Sequence, residues 1–211
     1  MKTNLSFIPL LFRACVQPKK TVQMVLDQDP NYFVLPMVLV YVAVSSFSPI
    51  YYLPLIKRLP LPIALLGGVV LWTEIGFLFF ILLSGIFYLA GKLLGGKGTF
   101  GEVRTAYAWS VPPNLLGVIF LIISQAPIWA KVLGGETDLA ASLSAPKLWW
   151  QSLSGGIFGA VDIWGWVLIL INVAYVHKFS VWKSFIIFLV IVVPLMFFFT
   201  MLVKYLEPIL G

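Results

Sequence analysis

Apolar positions fall into five long runs, at 33–53, 62–90, 106–126, 157–176 and 185–203, separated by short basic or glycine-rich turns. Each run is near or above the roughly 20 residues that a helix needs to cross about 30 Å of hydrocarbon. None alternates with period two, and a chain in lipid must satisfy its own backbone, so the runs are expected to be helices. The pattern predicts an all-α polytopic membrane protein. Its membrane domain is a bundle of five transmembrane helices over residues 31–211, preceded by an amphipathic amino-terminal segment over 1–30. Lys57, Arg58 and the prolines at 49, 54, 60 and 62 keep the first two runs apart, because charge and proline both interrupt a lipid-facing helix.

The amino-terminal segment reads as two short helices. Leu5, Ile8, Leu11, Phe12 and Cys15 share one face of the first. Pro18 opens the second, Val22, Val25 and Leu26 form its stripe, and Asp29-Pro30 ends it. Both are expected to lie in the inner headgroup layer and pack under the bundle, with docking of a partner as the other use of such a face.

Composition agrees with the bilayer as solvent: 61% of residues are hydrophobic and 10% charged, against about a quarter charged in a soluble domain. The net charge of +6 comes from basic residues scattered through turns, which excludes a nucleic-acid surface. One cysteine forms neither an intramolecular disulfide nor a cysteine metal cage. Arg13 just before Cys15 argues against a lipoprotein cleavage site, and the run 7–12 is too short for a signal-peptide core, so the amino terminus is expected to be kept.

Orientation follows from the same basic residues. With the amino terminus in the cytoplasm, that side receives Lys2, Arg13, Lys19, Lys20, Lys92, Lys97, Arg104, Lys178 and Lys183. The other side receives Lys57, Arg58, Lys131, Lys147 and Lys204. Nine against five places the amino terminus inside and the carboxyl terminus outside, in the inner (cytoplasmic) cell membrane.

Two span carboxylates are the candidate chemistry. Glu74 lies about 27 Å of helix from Lys92, and Asp162 about 22 Å from His177, at 1.5 Å per residue. Ser45, Ser124, Gln125 and Lys204 fall at broadly similar heights. Intramembrane carboxylates face a bundle interior or a wet cavity by default, so these six residues are the expected binding pocket, holding a cation, a proton or a headgroup amine. A shared pocket requires the two carboxyls to lie within about 10 Å of each other. Otherwise Glu74 is a packing clamp and Asp162 a helix cap near the outer boundary.

Pro112, Pro113 and Asn114 predict a kink in the third span, either a static bend or a hinge, and Pro194 offers the same in the fifth. Trp129, Trp149 and Trp150 are expected in an outer interfacial belt. Gly155 and Gly159, like Gly91 and Gly95, offer small-residue faces for helix contact. The turn 91–99, with Gly95, Gly96 and Lys97, misses the phosphate-loop pattern because Gly98 stands where serine or threonine is needed, so a tight cytoplasmic turn is expected. His177, the one histidine, reads as an inner-boundary residue beside Lys178. No serine has a base at matching depth and no metal pair exists, so neither a catalytic residue nor a metal or cofactor is expected.

The stretch 91–100 followed by Ser110-Val111-Pro112-Pro113 resembles the Yip family of membrane proteins, the Ypt/Rab-interacting proteins and their bacterial relatives. Gln17-Pro18-Lys19-Lys20-Thr21 is similar to that family's proline-basic-threonine opening, and the stretch 162–168 is similar to the start of its fourth span. The resemblance runs over nearly the whole chain and implies five spans with a cytoplasmic amino terminus. It also implies a link to lipid-modified Rab GTPases and early secretory membranes in eukaryotic relatives. Their long polar amino-terminal region has no counterpart in the roughly thirty residues before the first run, which points to a short prokaryotic-type member. No catalytic residue carries over.

Two functions stay open. One is a non-catalytic membrane organiser or adaptor for a protein or lipid partner at the cytoplasmic face, with homo-oligomers allowed. The other is a small transporter, channel or lipid-moving protein built around Glu74 and Asp162.

Overall fold

The computed structural model describes residues 6–46, 48, 52, 55–135, 148–198 and 200–201, and within them every regular element is helical. In chain order these are α1 (Phe7–Val16), α2 (Pro18–Gln28), α3 (Val34–Ser45), α4 (Leu61–Leu93), α5 (Phe100–Ala108), α6 (Pro112–Leu133), α7 (Trp149–His177) and α8 (Val181–Phe198).

Prolines decide where three of these helices begin. Pro18, Pro62 and the pair Pro112-Pro113 all sit in the first turn of their helices, α2, α4 and α6. There the missing N–H has no partner to lose and the fixed φ suits the helix. The pair also separates α5 from α6. Ser110 N donates to Tyr107 O at 2.9 Å and Val111 N to Ala108 O at 3.0 Å, closing α5 with tightened turns before the prolines open α6. The expected kink is therefore a complete break inside the third apolar run. In α8 a wide π turn over Phe188–Val192 precedes Pro194, accommodating a ring that an α-helical ladder would reject.

Among the described residues four elements are long and apolar enough to cross a membrane: α4, the α5–α6 unit (Phe100–Leu133), α7 and α8. The first apolar run forms α3, whose 12 residues reach about 18 Å; residues 47, 49–51 and 53–54 beyond it lie outside the described set. The chain is a polytopic all-α membrane protein.

The most extensive helix pairing is α6 against α7. Trp109, Leu83, Phe87, Val103 and Val173 are fully buried at the centre, with α1, α2, α3 and α8 packed around them. Close approaches use glycines, though mostly other ones than expected. A Cβ on Gly117 would lie 2.7 Å from Val161 Cγ1, and one on Gly76 would overlap Val42. Gly155 stands at ordinary contact distance from Ser124, and Gly159 has open space beside it. Trp149 is exposed as a belt residue would be, whereas Trp129 is buried edge-on against Tyr52 at 5.4 Å.

The amino-terminal helices dock tightly. Thr21, Val22 and Val25 of α2 are buried, as its stripe predicts. For α1 the buried residues are Leu10 and Ala14, while Ile8 and Phe12 of the expected stripe point away; Leu5 lies outside the described residues. Both faces of α1 are apolar, and the smaller one fits the bundle. Three contacts to the α2–α3 turn fix the segment: Arg104 donates to the Asn31 side chain, Thr105 Oγ1 to Pro30 O, and Trp109 Nε1 to Tyr32 O at 3.2 Å.

Candidate functional site

The break between α5 and α6 builds the site. It turns Asn114, in the first turn of α6, toward α7, where its Nδ2 donates to Asp162 Oδ1 at 2.7 Å. Gly165, one turn along α7 from Asp162, makes room: a Cβ there would overlap the Asn114 amide. Tyr41 of α3 brings its phenol beside Asp162, Asn114 and Ser45, and the Trp166 indole faces the same carboxylate. These groups and Tyr107, Ser110, Val111 and Ile169 enclose a cavity of about 50 Å³. That is room for one or two waters or a small cation, and far less than a lipid headgroup needs.

A second polar pair continues from the cavity along α7. Asn172 Nδ2 donates to Ser110 Oγ at 2.9 Å, and Ser110 Oγ donates to Ala106 O at 2.8 Å. Asn172 is fully buried, and its Oδ1 accepts no hydrogen bond among the described residues. The hydroxyl–carbonyl bond occupies an α5 carbonyl near the broken ladder, as a buried backbone group requires.

Of the six residues expected to form one pocket, two meet around it, Asp162 lining the cavity and Ser45 beside Tyr41. Glu74 is exposed on the outer surface of α4 and takes no part in the cavity. Ser124 and Gln125 lie about 15 Å further along α6 from Asn114 at 1.5 Å per residue. There Ser124 O accepts from Gln151 Nε2 at 3.4 Å. Lys204 is outside the described residues. For Glu74 the reason is rotational, since residues at one depth on different helices share a cavity only if their azimuths agree; for Ser124 and Gln125 it is their height along α6, level with Gln151 and not with Asp162. Asn114, expected with Pro112 and Pro113 at a kink or hinge, is also the partner of Asp162. Tyr41, Tyr107, Trp166 and Asn172 are additions that sequence reasoning missed, and each lies in an otherwise apolar run, which is the signal that was available.

The turn after α4 is the second constructed feature. Gly95 takes φ +83, with Gly95 N donating to Lys92 O at 3.0 Å and Gly96 N to Gly91 O at 2.8 Å, a Schellman cap. The end of α7 repeats it: Lys178 takes φ 57, and Lys178 N and Phe179 N donate to Tyr175 O and Ala174 O, each at 3.1 Å. Lys97 N donates to His177 O at 3.0 Å and joins the two caps. Between them lies the His177 ring, 1% exposed and stacked on Phe179 at 5.1 Å. A Cβ on Gly91 would overlap its Nε2 side and one on Gly96 its Nδ1 side. The glycines of the apparent phosphate loop thus clear space for an imidazole. His177 is a buried junction residue where a boundary residue is expected, and the Phe87 backbone is the polar group its ring faces. Thr99 and Glu102 then cap α5 reciprocally, with Thr99 N donating to Glu102 Oε2 at 2.7 Å and Glu102 N to Thr99 Oγ1 at 3.3 Å.

Among the described residues no three His, Cys, Asp or Glu side chains gather as metal ligands. Cys15 Sγ donates to Leu11 O at 3.3 Å, and burial pushes its thiol up, which makes it a weak nucleophile.

No curated protein and no solved structure matches the chain. The model of the Yip1 domain matches residues 12–203, which takes in the α5–α6 break, the glycine turn and α7 with its polar groups. This membrane protein belongs to the Yip1 family.

Proposed function

We propose that this Yip-type chain is a non-catalytic membrane organiser or adaptor, which engages a protein or lipid partner and does not move a solute. One observation carries the reading: the two span carboxylates do not share a cavity. Asp162 is bonded to Asn114 around a space of about 50 Å³, and Glu74 stands on the outside of the bundle. A carrier needs polar groups along a continuous path, and these are split between an interior cluster and a lipid-facing surface.

The glycine-turn end supports an adaptor in a second way. Lys19, Lys20, Lys92, Lys97, Arg104, Lys178 and Lys183 collect on the elements at that end. Two Schellman caps, the His177 junction and Lys183 Nζ donating to Leu94 O at 2.8 Å hold it rigid. A rigid basic surface at a membrane boundary suits anionic headgroups or an acidic partner segment. The positive-residue count assigns this end to the cytoplasm.

Reconstituted vesicles test the reading. Proton, cation and fluorescent-lipid flux should equal that of protein-free vesicles, and gentle detergent extraction should recover a stoichiometric partner protein or anionic lipid. Flux abolished by Asp162→Asn would overturn it in favour of the transporter. A reporter active only outside the cytoplasm should be silent when fused after Lys97 and active after Gly135; the reverse would relocate the basic end.

A further inference from the structure

We propose that two copies of this chain meet through the outer face of α4, with their Glu74 side chains paired as neutral carboxylic acids. The inference goes beyond the adaptor reading and is independent of it, since a transporter would dimerise equally well.

Depth comes first. Arg58 precedes α4 and Lys92 lies in its last turn. Leu61, the first residue of the helix, and Lys92 are about 47 Å apart along it, with Glu74 about 20 Å from one and about 27 Å from the other at 1.5 Å per residue. Any hydrocarbon layer of about 30 Å that fits between Leu61 and Lys92 contains Glu74, whatever the tilt. Yet Glu74 is exposed on the bundle, with no hydrogen bond or ion pair among the described residues. An intramembrane carboxyl left facing lipid is costly, so an occupant that offers it hydrogen bonds is called for.

The surrounding face fits a helix. At about 100° per residue, Gly67, Val70, Leu78 and Gly85 point within about 40° of Glu74. Val70 and Leu78 are exposed, at 58% and 67%, and Cβ atoms added at Gly67 or Gly85 would meet nothing within 4 Å. Small residues on both sides of the carboxyl let a second backbone come close.

Chemistry selects a second copy. A protonated carboxyl carries one donor and a free acceptor, and so complements itself. All copies of one chain insert with the same orientation, so a two-fold axis along the membrane normal brings each Glu74 to its equivalent at equal depth. Each then donates one bond and accepts one. A glutamine pair at this position has the same self-complementarity; a leucine pair has none.

The test uses the full chain in lipid vesicles, labelled at one dye per protein and diluted, with photobleaching steps counted per spot. Wild type should show two steps, Glu74→Gln should keep them, and Glu74→Leu should weaken dimerisation roughly tenfold or more, the scale of two intramembrane hydrogen bonds lost together. In a Cys15→Ser background, Leu78→Cys should form an oxidised dimer in membranes, while Ile119→Cys, equally lipid-facing on α6, should not. Single steps for wild type would overturn the proposal, as would dimers indifferent to Glu74→Leu. So would Lys204→Ala and Glu74→Leu destabilising the monomer equally and non-additively, which would make Lys204 the partner of Glu74 within one chain. Loss of pairing in Glu74→Gln would point to a basic foreign span and would also sink the carboxyl pair.

Discussion

α7 and α4 each carry one carboxylate inside an apolar run, and the structure treats them oppositely. On α7, Asp162 faces inward, Asn114 donates to it, Gly165 clears space for that amide, and Asn172 and His177 are buried against other neighbours further along the helix. On the middle of α4, Glu74 faces outward between glycines whose missing side chains leave open space. In water this contrast would be written into the residues as an apolar stripe against a polar one. In lipid both faces are apolar, so what separates them is where small and hydrogen-bonding residues sit. The α7 face reads as a fitted interior, and the α4 face as a surface built to be covered.

The sharpest way to break the comparison is one substitution made on both helices. Gly165→Ala pushes a methyl into the Asn114 amide, which cannot yield without losing Asp162. Strain and the lost bond together should cost about 3 kcal/mol. Gly67→Ala meets nothing and should stabilise the monomer by about 0.5–1 kcal/mol through helix propensity. Unfolding of detergent-solubilised protein followed by tryptophan fluorescence reads both. Equal shifts at the two sites would erase the distinction between the faces.

Gly91→Ala extends the test to a place where α4 is as tightly fitted as α7. The added methyl overlaps the His177 ring, which Gly96 hems in from the other side. A loss of about 2 kcal/mol is expected from overpacking. His177→Ala in the same chain should recover part of it, because the ring is what the methyl meets. Additive losses would mean that the glycines serve the turn and not the imidazole.

The extent of the spans was legible in the sequence; azimuth was not, nor was the height of Ser124 and Gln125 relative to Asp162. The runs that became α4, α7 and α8, the Pro112-Pro113 break and the stripe of α2 all follow from chain-local rules about length, proline and spacing. The pairing of Asp162 with Asn114 depends on the rotation of two helices, and no polar stripe marks that rotation when the solvent is hydrocarbon. The α1 stripe misled for the same reason: Ile8 and Phe12 are free to face lipid while Leu10 and Ala14 fit the bundle. His177 was hidden differently. Its burial rests on three glycines from another helix end, and a single histidine beside a lysine carries no mark of that.

Asn114→Leu sharpens the α7 side with a smaller effect. It removes the Asp162 donor while keeping volume, and Asp162 retains Trp166 and Tyr41 nearby. A loss of about 1–2 kcal/mol is expected, within the range for a polar group deprived of one partner. The double variant Asn114→Leu with Asp162→Leu should recover most of it, since replacing both partners leaves no unpaired group. A double variant as unstable as the sum of the singles would show that the pair shapes the cavity and not merely its polarity.

The smallest expected change belongs to α4. Glu74→Leu removes a group that contacts nothing polar among the described residues of its own chain, so monomer stability in detergent should move by less than about 0.5 kcal/mol. The sign should favour leucine, because detergent, like lipid, holds an apolar side chain at no cost and an ionisable one at some. Read beside Asn114→Leu, this gives the comparison its cleanest form. The same leucine lowers stability where the polar group is housed and leaves it unchanged where the polar group is bare. A large loss in monomeric Glu74→Leu would put a hidden intramolecular partner on α4 and make its outer face one more fitted interior.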